Sequence, residues 1–145
     1  MKVILDKIFK EITTLGGLML YILVLILTLF IDVYYSLILF FGMVIIYAIA
    51  GLIRFFYFRN RPKKMSYKTT LEKLDASSFP SIHAARVTFL AIFLIKFIVK
   101  DYLFVLLVIL TWLLVCYSRI YLKKHYLIDV IGGVILGIVT SFFVM

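Results

Sequence analysis

Five long apolar runs leave this chain almost no way to fold except as helices in a bilayer. They cover residues 15–31, 33–53, 84–99, 102–120 and 127–145. At a rise of about 1.5 Å per residue, each helix would be roughly 24–32 Å long. The hydrocarbon core is about 30 Å thick, so each run can cross it, the 84–99 run only just. None alternates apolar and polar residues as a barrel strand does. Lipid offers the backbone no hydrogen bonds, which leaves the helix. The expected fold is an all-α integral membrane protein, a five-helix transmembrane bundle in one domain over residues 1–145.

Composition excludes the main alternatives. Hydrophobic residues make up 66% of the 145 positions and charged residues 16%, against about 45–50% and about 25% in soluble domains. An ordinary soluble enzyme, a disordered tail and a nucleic-acid module do not have this balance. The net charge of +9 comes from 16 Lys and Arg against 7 Asp and Glu, an excess typical of cytoplasmic loops and of contact with anionic headgroups. The single cysteine, Cys116, cannot form an internal disulfide and reads as packing.

The links between runs are informative. Asp32 alone separates the first two runs, and Lys100-Asp101 separates the third from the fourth. Each aspartate suits the N-terminus of the helix that follows. Residues 58–81 form a longer polar segment with both prolines and a cluster of cations: Arg59, Arg61, Lys63, Lys64, Lys68 and Lys73. These cations, with Lys123 and Lys124, read as a solvated, headgroup-facing group. Thr70-Leu-Glu-Lys can start a short surface helix. Ile4, Leu5, Ile8, Phe9 and Ile12 share one helical face, which predicts an amphipathic helix on the membrane surface; a plain extension of the first span is the alternative. Gly133 and Gly137 in the last run allow close approach of another helix.

Polar residues in or beside apolar runs are costly and therefore informative. They form three clusters: Arg54 with Arg61-Pro62; Pro80-Ser81-Ile82-His83; and Ser118-Arg119, His125 and Asp129. Five antiparallel spans bring all three to one membrane face, together with the only two histidines of the chain. Arg54, Arg61 and Arg119 are guanidinium forks matched to phosphate oxygens. Ser81 precedes a helix, a ready anion site. His125 and Asp129 meet on one face if the last helix begins by His125, and the carboxylate can then hold one imidazole nitrogen protonated. His83 can protonate a leaving group. These are parts of a phosphoryl-transfer site that needs no metal or other cofactor.

In these residues the chain resembles the type 2 phosphatidic acid phosphatase superfamily, which also includes vanadate haloperoxidases and bacterial acid phosphatases. The family signatures K-x6-R-P, P-S-G-H and S-R-x5-H-x3-D appear here as Arg54-x6-Arg61-Pro62, Pro80-Ser81-Ile82-His83 and Ser118-Arg119-x5-His125-x3-Asp129. The third is complete. The first has Arg54 for lysine and the second has Ile82 for glycine. The resemblance implies His125 as nucleophile through a phosphohistidine, Asp129 as its partner and His83 as acid. It implies Arg54, Arg61, Ser81, the backbone of Ile82 and Arg119 as phosphate ligands.

The function expected is hydrolysis of a membrane lipid phosphate or diphosphate, with polyprenyl diphosphate favoured over phosphatidate or phosphatidylglycerophosphate. The rivals are a non-catalytic binder of anionic lipids, which Ile82 would favour, and a lipid phosphotransferase. Fourteen Lys and Arg fall on the site face and two, Lys96 and Lys100, on the other. The positive-inside rule then sets the site of a multi-pass cell-membrane protein toward the cytoplasm.

Overall fold

A computed structural model of the chain describes residues 2–63 and 65–145. Lys64, one of the cations assigned to the headgroup-facing cluster, lies outside the described residues. Those described form helices and no strand: α1 (Lys2–Thr14), α2 (Leu18–Leu29), α3 (Val33–Phe56), α4 (Thr70–Ala76), α5 (Ile82–Phe93), α6 (Tyr102–Tyr121) and α7 (Leu127–Val144). A wider turn, Leu94–Ile98, prolongs α5.

The caps follow the sequence. Asp32 Oδ1 accepts the Tyr34 N–H at 2.9 Å and Asp101 Oδ1 accepts the Leu103 N–H at 2.8 Å. α4 starts with a reciprocal capping box between Thr69 and Glu72, which satisfies two otherwise orphaned N–H groups. The first apolar run departs from expectation. Its residues 15–17 form a turn, with the N–H groups of Leu15, Gly16 and Gly17 bonded three residues back. Two consecutive glycines weaken the helix there, so α1 and α2 are separate rods.

Four stretches are long and apolar enough to cross a membrane: Lys2–Leu29, Val33–Phe56, Tyr102–Tyr121 and Leu127–Val144. The first runs through the turn between α1 and α2. The 84–99 run is the exception to the five expected. Its helix and wider turn cover residues 82–98, roughly 25 Å, and it carries His83, Arg86 and Lys96.

α5 is the centre of the bundle, buried at every residue from 84 to 90. Its closest neighbour is α7, which meets it through the two glycines singled out above. A Cβ at Gly137 would lie 2.6 Å from the Ala85 carbonyl oxygen, and one at Gly133 would run into the Ser81 carbonyl. Gly42 of α3 similarly makes room for the Phe89 ring. Around them Tyr21, Leu39, Ile46, Phe89 and Phe93 form the main apolar core. α1 leans on the end of α6, with the Phe9 ring 4.4 Å from Tyr121 and 5.5 Å from Tyr117, centroid to centroid.

Candidate active site

The three polar clusters converge on one cavity of about 220 Å³. The loop after α3, the start of α5 and the turn between α6 and α7 are stitched by backbone hydrogen bonds. Ser78 N–H donates to the Arg59 carbonyl at 2.7 Å, Ser81 N–H to the Asp129 carbonyl at 2.9 Å, and Lys63 N–H to the Lys123 carbonyl at 3.2 Å. Arg54, Arg61, Ile82, His83, Arg119 and His125 all line the cavity, joined by Tyr47, Asp75 and Arg86.

The turn that delivers His125 has a defined cause. Lys123 takes a positive φ of 54°, and its N–H bonds the Ile120 carbonyl while Lys124 N–H reaches back to the Arg119 carbonyl. This pairing is the Schellman end of a helix, usually built with glycine at the left-handed position. The His125 N–H also donates to the Arg119 carbonyl, at 3.1 Å. The nucleophile candidate and the phosphate-ligand candidate are thus fixed to each other by backbone.

α7 begins at Leu127, two residues later than the helical pairing of His125 with Asp129 requires. The two side chains consequently do not bond directly. Asp129, fully buried, accepts the Tyr126 N–H at 2.8 Å, a hydrogen bond from the Ser78 hydroxyl, and an ion pair from Arg59 at 3.1 Å. His125 Nδ1 lies 2.7 Å from the Ser78 carbonyl oxygen. A carbonyl only accepts, so Nδ1 carries the hydrogen and Nε2 keeps its lone pair. Ser78 therefore links Asp129 to His125, a connection that sequence spacing did not reveal. Arg59, assigned to the headgroup-facing cluster, instead stacks over Tyr126 and pairs with Asp129.

The arginines share one pattern. Arg54 donates to the Leu74 and Pro80 carbonyls, Arg61 to the Asp75 carbonyl, Arg119 to the Thr13 hydroxyl, and Arg86 to the Tyr47 hydroxyl and the Gly16 carbonyl. Each still holds a buried Nε with no hydrogen-bond partner, and among the described residues these are the only such side-chain atoms. A buried polar group left unpaired costs about 1–3 kcal/mol, and more when charged. Four guanidinium groups around one cavity suit an anion.

Ser81 caps α5 by accepting the Ala84 N–H, is fully buried and does not line the cavity. Ile82 is the first residue of α5 and packs partly on the core. Among the described residues Lys123 is the only non-glycine with a positive φ, so position 82 makes no demand for glycine geometry.

Burial, and then the charges of Arg119 and Arg61, push His125 down to about 3 from its ordinary 6.5. Its imidazole is neutral, and so nucleophilic, through the physiological range. The unfolded chain binds a proton near pH 6.5 that the folded protein refuses until about pH 3, so His125 makes stability fall as pH drops through that window. Melting midpoints measured from pH 7 to pH 4 are expected to decline, and His125→Gln is expected to flatten part of the decline.

A family model described as the PAP2 superfamily matches residues 35–145. The chain is similar to the crystal structure of LpxE from Aquifex aeolicus, with a TM-score of 0.79 and 21% identity, over 97% of this chain and 84% of that one. No curated protein matches its sequence.

Proposed function

The chain belongs to the PAP2 superfamily, and from that premise we propose that it is an integral membrane phosphatase of lipid phosphates or diphosphates, polyprenyl diphosphates foremost, working through a phosphohistidine at His125. The observation that carries this reading is the cavity that four arginines and two histidines line together. Such a cavity suits a phosphoryl group, whose transfer depends chiefly on positioning and charge stabilisation.

The chemistry then follows from the geometry. His125 Nε2 attacks phosphorus, and the bond to the leaving oxygen breaks with its electron pair moving to that oxygen. His83, protonated against the negative charge of the bound phosphate, supplies the proton. Arg54, Arg61 and Arg119 stabilise the charge on the equatorial oxygens. A water, giving its proton back to His83, attacks the phosphohistidine, and the N–P electron pair returns to the imidazole. Asp129 acts as a positioning residue through Ser78. No step calls on a metal ion.

A lipid tail has a path. An apolar groove of about 250 Å³ runs between α2, α5 and α6, lined by Leu15, Val87, Leu90, Ala91, Leu94 and Trp112 among others. On α5, His83 of the polar cavity and Val87 of the groove stand one helical turn apart on one face. A prenyl chain fits such a groove without a large headgroup pocket. In the same reading α5 is the fifth crossing, α1 lies at the membrane surface beside the site, residues 1–145 act as one phosphatase unit, and the site faces the cytoplasm as the charge count indicates.

The test is phosphate release by the purified protein in detergent with EDTA present, from farnesyl diphosphate, a long polyprenyl diphosphate and phosphatidate. Release from at least one lipid is expected, with the diphosphates ahead. Release that depends on an added alcohol acceptor would favour the phosphotransferase. Silence from every lipid, in the wild type and in Ile82→Gly, would favour the lipid binder.

A further inference from the structure

Arg86 belongs to none of the three motifs, yet the cavity holds its guanidinium against a histidine. It lies on α5 three residues after His83, and its Nη2 is 3.5 Å from His83 Nδ1. It is 3% exposed. Its hydrogen bonds go to a hydroxyl and a carbonyl, and its Nε has no partner. Among the described residues the one ion pair joins Arg59 to Asp129, so no carboxylate neutralises Arg86. A buried guanidinium with no counter-ion is costly, and three other arginines already face the same cavity.

We propose that Arg86 binds the second phosphate of a lipid diphosphate, so that this cavity prefers diphosphates to monophosphates with the same tail. The proposal rests on the phosphatase reading for its chemistry but not for its binding. Charge supports it first. Four guanidinium groups face the cavity against one carboxylate, Asp75, which leaves three positive charges uncompensated. A phosphomonoester carries about −1.5 to −2, and a diphosphate carries more.

Order along the cavity supports it too. α5 presents His83, then Arg86, then Val87 and Leu90 of the apolar groove. A lipid diphosphate has the same order: bridging oxygen, inner phosphate, tail. With the terminal phosphorus at His125, attack breaks its bond to the bridging oxygen, and the electron pair goes to that oxygen. The departing molecule is then a lipid monophosphate whose negative charge grows beside Arg86, where a fixed cation lowers the barrier. His83 supplies its proton to the same oxygen. Water subsequently releases orthophosphate from His125. A monophosphate substrate departs as an alcohol, and offers Arg86 no second anion to hold.

The test compares farnesyl diphosphate with farnesyl monophosphate, using the purified protein in detergent. Arg86→Gln is expected to lower kcat/KM for the diphosphate by about 30-fold or more and for the monophosphate by less than about 3-fold, as expected for the loss of a charge-assisted contact of about 2 kcal/mol. Arg86→Lys, which keeps the charge and loses the fork, is expected to fall between. The ratio of the two substrates is measured on whatever fraction folds, so lost stability does not imitate the effect. Equal losses on both substrates, or none, overturn the proposal. Competition binding of inorganic pyrophosphate against orthophosphate provides a readout without turnover. A preference for pyrophosphate that vanishes in Arg86→Gln would uphold the diphosphate site even if no lipid were hydrolysed, and the phosphatase reading alone would fall. Equal binding of both anions by the wild type would overturn the site itself.

Discussion

Replacing His125 with alanine is expected to abolish phosphate release, by about 10⁴-fold or more, while the protein still folds. Losses of this size follow removal of a nucleophile that forms a covalent intermediate. The structural cost is small by comparison. His125 Nδ1 bonds the Ser78 carbonyl, worth about 1 kcal/mol, with the Ser78 hydroxyl a longer 3.4 Å away, and its backbone tie to Arg119 does not depend on the side chain. A His125→Ala protein with an unchanged elution profile, a melting midpoint within a few degrees of wild type and no phosphate release is the expected result. Residual activity within about tenfold of wild type would assign attack to another group.

The second large effect concerns the contact on which the site is mounted. Gly137→Leu is expected to prevent folding of the bundle. The first added carbon would already lie 2.6 Å from the Ala85 carbonyl oxygen and 2.8 Å from Thr88 Cβ, and the rest of the leucine has nowhere to go. Neither obstacle is the loose end of a flexible side chain, so α7 must move away from α5. Overpacking of a core typically costs about 1–3 kcal/mol when neighbours can shift, and more is expected here. Because α5 carries His83 and Arg86 while α7 carries Asp129, activity should be lost with the fold. Gly51→Leu is the control: nothing lies within 4 Å of a Cβ there, and its melting midpoint should stay close to wild type. Equal midpoints for the two variants would mean that α5 and α7 are not packed this way.

What the sequence made legible was mostly local or strongly patterned. Asp32 and Asp101 cap the helices that follow them, because a carboxylate before an apolar run has few other uses. The helix starting at Thr70 forms with its capping box. Gly133 and Gly137 meet α5, as small residues four apart suggest. Convergence of the three clusters followed from antiparallel packing alone. The links that escaped notice are long-range or depend on a helix boundary. Arg59 pairs with Asp129 across 70 residues of chain, and no periodicity marks such a contact. Ser78 lies outside the helical pattern and matters through its carbonyl as much as its hydroxyl. The start of α7 at Leu127 turned a supposed helical pair into an indirect one. Arg86 carries one signal in the sequence, its place one helical turn after His83. α5 falls short of the four long apolar stretches for a physical reason: surrounded by protein and lined with polar groups on its cavity side, it needs less of the apolar length that lipid demands.

The most direct test of the account is to trap the enzyme during turnover. The purified protein would be mixed with a lipid diphosphate labelled in its terminal phosphate, then quenched in alkali and digested. Labelled protein that is stable to alkali and labile to acid, with the phosphoryl group located on His125 by mass spectrometry, is the predicted result. Label on any other residue, or steady phosphate release with no labelled protein at the shortest quench times and with His125→Ala still active, would contradict it.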